Sequence, residues 1–218
     1  QTKECKKMKY RAFAGPLAMA MILMSGQAMA DKGDWIARAG VANVNPDPDS
    51  DILNIDVDDD TQLGLTFAYT VTDHTGVELL AATPFTHDIR SKELGLKVGS
   101  AKQLPPTLNL QYYFLGSDSK FRPYAGVGVN YTYFWDEDTA GEFEDVAGNS
   151  SLSLDDSWGL SLQAGADYHI NDKWLINAAV WKLDISTKAK LETENLGPVQ
   201  VDVDIDPWVY MIGVGYRF

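Results

Sequence analysis

The chain has 218 residues, 45% of them apolar and 22% charged, with a formal net charge of −13. These values fit one ordinary folded domain and exclude a disordered chain. The acidity argues against nucleic acid as a partner, because phosphate binding needs clustered Lys and Arg. No apolar run reaches the ~20 residues that a spanning helix needs. A membrane barrel gives the same negative result, because its strands alternate apolar and polar residues.

Met8 is followed by Lys9 and Arg11, an apolar stretch from Ala12 to Met24, and the small-residue site Ala28-Met29-Ala30. That order reads as a signal peptide over residues 8–30, cut before Asp31. Residues 1–7 are then an upstream extension that is not native, and residues 31–218 are the exported domain. The one cysteine, Cys5, lies in the discarded segment. Hydrogen bonds and packing, not disulfides, are therefore expected to hold the mature fold.

From Asp34 to Asn43, Trp35, Ala37, Ala39 and Val41 alternate with Ile36, Arg38, Gly40 and Ala42, a weak strand signal. Residues 44–61, rich in Asp and holding Pro46 and Pro48, predict a long loop. Gln62 to Thr72 is a clear strand, with Leu63, Leu65, Phe67, Tyr69 and Val71 on one face and small or polar residues on the other. A tight turn at Asp73-His74-Thr75-Gly76 leads to its hairpin partner, Val77 to Thr83. Residues 84–104 predict a second long loop, and Thr107 to Phe114 a fourth strand. After a short turn at 116–119 comes Pro123 to Trp135, in which Val127, Val129, Tyr131, Tyr133 and Trp135 share one face. A polar loop at 136–156 precedes the strand from Trp158 to Tyr168. The turn Asn171-Asp172-Lys173, a strand from Trp174 to Ile185 and a long segment at 187–206 follow.

The last twelve residues, PWVYMIGVGYRF, place Trp208, Tyr210, Ile212, Val214, Tyr216 and Phe218 on one face and mostly small residues on the other. Aromatics near both ends with aliphatics between them dress a strand for lipid. The terminal Phe218 also looks like the signal by which the outer-membrane assembly machinery recognises its clients.

Eight strands thus alternate long and short connections. The expected fold is all-β: an eight-stranded antiparallel transmembrane β-barrel with long extracellular loops, short periplasmic turns and both termini periplasmic. Its place is the outer membrane of a Gram-negative bacterium, with lipid and lipopolysaccharide around it. Tyr133, Trp135, Trp158 and Trp208 are expected at the outer interface, and Tyr69, Phe114, Tyr168, Trp174, Tyr216 and Phe218 at the inner one.

The stretches GVELLAATPF (76–85), KQLPPTLNLQYYF (102–114), SKFRPYAGVGVNYT (119–132), DSWGLSLQAGADY (156–168) and DPWVYMIGVGYRF (206–218) resemble the OmpW family of small outer-membrane barrels. The resemblance covers essentially the whole mature chain. It implies an eight-stranded barrel that admits small, mainly hydrophobic molecules, in a family that also includes bacteriocin and phage receptors. The first long segment departs from the family pattern by its acidity, with Asp47, Asp49, Asp51, Asp56, Asp58, Asp59 and Asp60.

An eight-stranded barrel has room inside only for side chains or one small ligand. Strand parity points Arg38, Glu78, Asp167 and Arg217 inward near the periplasmic end, where charges must pair; together they are expected to plug the lumen. Higher up, Leu80, Phe134, Trp181 and Met211 point inward. They either fill the barrel or form a constriction that contacts a hydrophobic solute. A plug below would send such a solute sideways. Pro84, Pro105 and Pro106 fall where the third strand ends and the fourth begins, and proline cannot donate to a ladder. They mark either plain strand ends or a lateral opening to the bilayer.

Competing classes find less support. His74, His87 and His169 show no partnership with a nucleophile and no catalytic motif appears, so no enzyme is expected. A lipocalin-like soluble binder would need a water-facing exterior. A structural barrel, or a bacteriocin or phage receptor without transport, stands as the alternative function. The acidic loops read as solvated surface, and Asp56-Val57-Asp58-Asp59-Asp60 lacks the spacing and glycine of an EF-hand loop. No metal or cofactor is expected.

Overall fold

The computed structural model describes residues 33–50, 55–195 and 197–218; the expected extension and signal peptide lie outside the described residues. Numbered along the chain, the strands are β1 (Trp35–Asn45), β2 (Asp49–Ser50), β3 (Ile55–Val57), β4 (Asp60–Thr72), β5 (Thr75–Ala82), β6 (Phe85–Ser91), β7 (Leu96–Leu104), β8 (Thr107–Tyr113), β9 (Phe121–Thr139), β10 (Ser150–Leu154), β11 (Ser157–His169), β12 (Trp174–Leu183), β13 (Ser186–Thr193), β14 (Gly197–Asp204) and β15 (Trp208–Arg217). One short helix, α1 (Gly141–Ala147), separates β9 from β10.

Eight of these strands close on themselves in the order β11-β12-β15-β1-β4-β5-β8-β9, with β9 pairing back to β11. All pairs are antiparallel, and β1 joins the C-terminal β15 from Ile36 opposite Arg217 to Asn45 opposite Trp208. In hydrocarbon no water satisfies an unpaired strand edge, so closure is what permits a sheet to span a membrane. The period-two pattern sets the faces. Val41, Leu63, Leu110, Leu160 and Ile212 are exposed on the outer wall, while Ile36, Arg38, Ala68, Glu78 and Leu175 are buried inside.

Short turns gather at the end where β1 begins and β15 ends, and there the Phe218 amide donates to the Trp35 carbonyl at 2.9 Å. Aromatics ring that end in contact with one another: Trp35 with Tyr69 at 5.0 Å between ring centroids, Trp174 with Tyr216 at 5.0 Å, and Tyr216 with Phe218 at 4.9 Å. A second set near the opposite end pairs Tyr131 with Trp158 at 4.7 Å and Tyr133 with Trp135 at 5.5 Å.

The long connections are not the irregular loops that their polarity predicts. Above the wall, β9 runs on to Thr139 and pairs with β7, which continues through β6 to β3. Opposite this extension stands a separate sheet in the order β10-β13-β14-β2. Polar residues alternate with apolar ones in these segments, so each hairpin has an apolar face to bury. Val199, Val201 and Val203, for example, share one side of β14, away from Asp202 and Asp204.

Closure brings β1 very near β15. Gly40 faces Gly64 on β4 and Gly213 on β15, and a Cβ at Gly40 would collide with the Ile212 carbonyl and lie 2.7 Å from the Gly213 Cα. Gly40→Val is therefore expected to destabilise the refolded barrel by about 1–3 kcal/mol, as overpacking does. Gly141→Ala, with open space around its Cβ, should leave the urea midpoint in micelles unchanged. Equal midpoints for the two variants would contradict the close approach.

Candidate functional site

Inside the barrel, near the short-turn end, β1 points Arg38 into the lumen. Its Nη1 donates to Glu78 Oε2 on β5 at 2.9 Å, and its Nε and Nη2 form a two-pronged pair with Asp167 on β11 at 2.9 and 2.6 Å. All three side chains are fully buried. Hydrogen bonds then run in a closed ring: Arg38 to the Tyr113 hydroxyl at 3.2 Å, Tyr113 to Gln111 at 2.9 Å, Gln111 to Gln163 at 3.1 Å, and Gln163 to Glu78 at 2.7 Å. Asn177 adds a branch, donating to Asp167 at 2.8 Å and to the Tyr124 hydroxyl at 3.0 Å. Six barrel strands contribute, so the network reaches across the lumen. Charges in a dry interior persist only when paired and hydrogen-bonded, and here each has several partners.

Of the four residues expected to form the plug, three meet and one does not. Arg217 sits two residue pairs nearer the rim than Arg38 and gives its Nε to Asp34 at 2.7 Å, outside the ring. The second guanidinium near the network is Arg122, placed opposite Asp167 across the β9–β11 pair and 4.2 Å from the centroid of the Tyr113 ring. Arg122 escaped notice because the strand was expected to start at Pro123. Gln111, Tyr113, Gln163 and Asn177 share the inward parity of their strands and were legible by that signal, but uncharged residues were not weighed as parts of a plug.

Above the ring the lumen turns apolar. Leu80, Trp181, Phe134 and Met211 all belong to one buried apolar cluster. The cluster leads up into a cavity of about 80 Å³ between the two extended sheets, lined by Ile55 and Phe134 on one side and Leu152, Ala189, Val199 and Val201 on the other. Phe134 alone of the four expected constriction residues reaches this cavity; the other three lie at and below its floor.

The wall beside the cavity floor is not fully laddered. The β5–β8 pairing ends at Leu80 opposite Thr107, and the β6–β7 pairing resumes at Phe85 opposite Gln103. Residues 81–84 and 104–106 carry no ladder pair across that seam. Pro84 is exposed there, Pro105 is buried and Pro106 is half-buried. The far side of the second segment stays anchored, since the Pro106 carbonyl accepts from the Tyr131 amide at 3.1 Å.

His87, above the membrane strands, has its imidazole pKa lowered from the ordinary 6.5, because burial disfavours the charged ring more than Asp58, Asp59 and Asp60 favour it. Among the described residues, no cluster of three or more His, Cys, Asp or Glu side chains could hold a metal ion.

A closed, lipid-dressed antiparallel wall around a bonded charged interior defines an outer-membrane β-barrel. The OmpW family model matches residues 31–218, and the chain belongs to that family. It is 47% identical over 212 residues to outer membrane protein W of Vibrio cholerae, covering 93% of this chain and 97% of that protein. The crystal structure of the outer membrane protein OprG from Pseudomonas aeruginosa superposes with a TM-score of 0.80 at 48% identity, over 86% of this chain and 97% of that one. A more distant relative, 26% identical over 215 residues and covering 93% of this chain and 97% of that protein, is the dibenzothiophene metabolism operon protein PahQ of Pseudomonas aeruginosa.

Two outcomes follow. Arg38→Leu strands two buried carboxylates and should cost about 3–5 kcal/mol of barrel stability in urea titrations; adding Glu78→Gln and Asp167→Asn should restore much of it. For His87, the unfolded segment takes the proton first as pH falls, so its contribution is complete above about pH 6.5 and declines below it. Limited proteolysis in the β6–β7 hairpin should quicken on acidification in the wild type and less so in His87→Phe.

Proposed function

We propose that this barrel is a passive outer-membrane channel for small, mainly hydrophobic molecules, which enter the apolar vestibule from outside and leave sideways into the bilayer. The observation that carries the reading is an apolar cavity set above a hydrogen-bonded polar ring, beside a stretch of wall with no ladder pairing. A greasy solute gains nothing by crossing a ring of paired charges, since it offers them no hydrogen bonds. The unpaired seam at Pro84, Pro105 and Pro106 lies at the level of the cavity floor, and Leu80, Trp181 and Met211 form the narrowing beneath it.

The name of the distant relative, which speaks of dibenzothiophene metabolism, supports an apolar solute. On the same reading, outer-membrane lipid and lipopolysaccharide surround the wall, and the C-terminal stretch, β15 followed by Phe218, engages the assembly machinery.

Refolded protein in liposomes should pass small hydrophobic solutes faster than polar ones of equal size. Leu80→Arg with Trp181→Arg should abolish the selective flux, and Pro105→Val with Pro106→Val, by extending the ladder, should reduce it several-fold. Flux no greater than that of empty liposomes, from folded protein, would leave a structural barrel or a bacteriocin or phage receptor as the better reading.

A further inference from the structure

The vestibule is lined almost wholly by carbon, and three polar side chains interrupt it: His87, Gln103 and Thr187. Two are fully engaged. Thr187 donates to the Asp155 carbonyl at 2.6 Å. His87 Nδ1 lies 2.7 Å from the Asp58 carbonyl, which can only accept, so Nδ1 carries the ring proton. Burial keeps this ring neutral, which leaves Nε2 as a bare acceptor. The side-chain nitrogen of Gln103 approaches that Nε2 at 2.9 Å and must be the donor.

The orientation of the Gln103 amide follows from this chain of bonds rather than from free choice. With its nitrogen committed to His87, Oε1 is a buried acceptor with no hydrogen-bond partner among the described residues. Gln103 is 2% exposed and sits on β7 between Phe85 of β6 and Phe134 of β9, both buried. An orphaned acceptor in such surroundings is costly, and of the buried side-chain polar atoms without a partner among the described residues this is the one on a residue that lines the cavity. It also stands two residues above Pro105, where the cavity floor meets the unpaired seam.

We propose that Gln103 is a specificity residue of the vestibule, whose Oε1 accepts a hydrogen bond from solutes that carry one O–H or N–H donor on an apolar body, such as a long-chain alcohol or a phenol. This rests on the uptake reading above and narrows its solute class. The bond holds the polar end of the solute at the seam while the apolar remainder packs against the aliphatic sheets. His87 acts as a positioning residue, because its tautomer keeps the amide from turning its NH₂ into the cavity. An ether or alkane of the same shape leaves Oε1 unpaired and is disfavoured.

The test compares 2-naphthol with 2-methoxynaphthalene, which share an aromatic body and differ in the donor. Equilibrium binding to the refolded mature chain in micelles is measured against empty micelles, beside Gln103→Leu. The wild type should prefer 2-naphthol by about tenfold, the ratio for one neutral hydrogen bond in a dry site. Gln103→Leu should lose that preference by weakening 2-naphthol alone. If Gln103→Leu does not refold, the near-isosteric Gln103→Met makes the same comparison. Equal binding of the two solutes by the wild type, or a preference that survives removal of the amide, overturns the assignment and leaves the uptake reading standing. Binding of neither solute by folded protein overturns both.

Discussion

Closure of β1 against β15 is the constraint from which the rest of this molecule follows. A sheet in hydrocarbon cannot leave an edge of unpaired amides and carbonyls, so the first and last strands must meet along their whole length, from Ile36 opposite Arg217 to Asn45 opposite Trp208. Because the C-terminal strand is half of that seam, its outward face must suit lipid and its inward face must suit a narrow lumen at once. The facing pair Gly40 and Gly213 on β1 and β15 shows what this demands: backbone packed so near backbone that a side chain has no place.

Eight strands close into a tube too narrow for bulk water, and that fixes how charge can be kept inside. A guanidinium suits the task because its planar fork can grip one carboxylate with two prongs while it reaches a second carboxylate and a hydroxyl, four bonds where an ammonium has three donors. Arg38 does so with Glu78, Asp167 and Tyr113. Two carboxylates against one guanidinium leave an excess of negative charge, and Arg122 stands opposite Asp167 on the neighbouring strand where that excess lies. The amides of Gln111 and Gln163 pass hydrogen bonds between the charged members, so the ring is held by side chains from strands far apart in sequence. Strand register, once fixed by closure, is what brings them within bonding distance.

Strand count, strand direction and the facing of nearly every wall residue were legible in the chain, because alternation has a period of two and repeats eight times. Glu78, Asp167 and Arg38 could be placed together for the same reason. The error at Arg217 was one of height rather than facing. Parity says which way a side chain points, but only the register of β1 with β15 says that Arg217 lies opposite Ile36 and within reach of Asp34. The long segments were misread for a different reason. Their Asp and Pro content matches loop chemistry, yet alternation as in Val199, Val201 and Val203 is a strand signal that composition hid. Gln103 was silent in the sequence, since its meaning depends on the tautomer of His87, and that in turn on the carbonyl of Asp58, 45 residues before Gln103 and on a different hairpin.

The extended hairpins explain how one short barrel holds both a polar ring and an apolar vestibule. Within the membrane the wall must be apolar outside, so parity leaves the inner face free to be polar, and the ring occupies it. Above the membrane the outer face meets water, the polar face turns outward, and the inner face becomes the apolar one. The alternation therefore exchanges its meaning along a single strand: on β9, Val127 and Val129 are exposed on the barrel's outer wall, whereas Phe134 is buried within. The changeover falls between the end of the β5–β8 ladder and the start of the β6–β7 ladder, the stretch that holds Pro84, Pro105 and Pro106. A seam at that height is where the apolar interior of the upper half comes nearest the hydrocarbon surrounding the lower half.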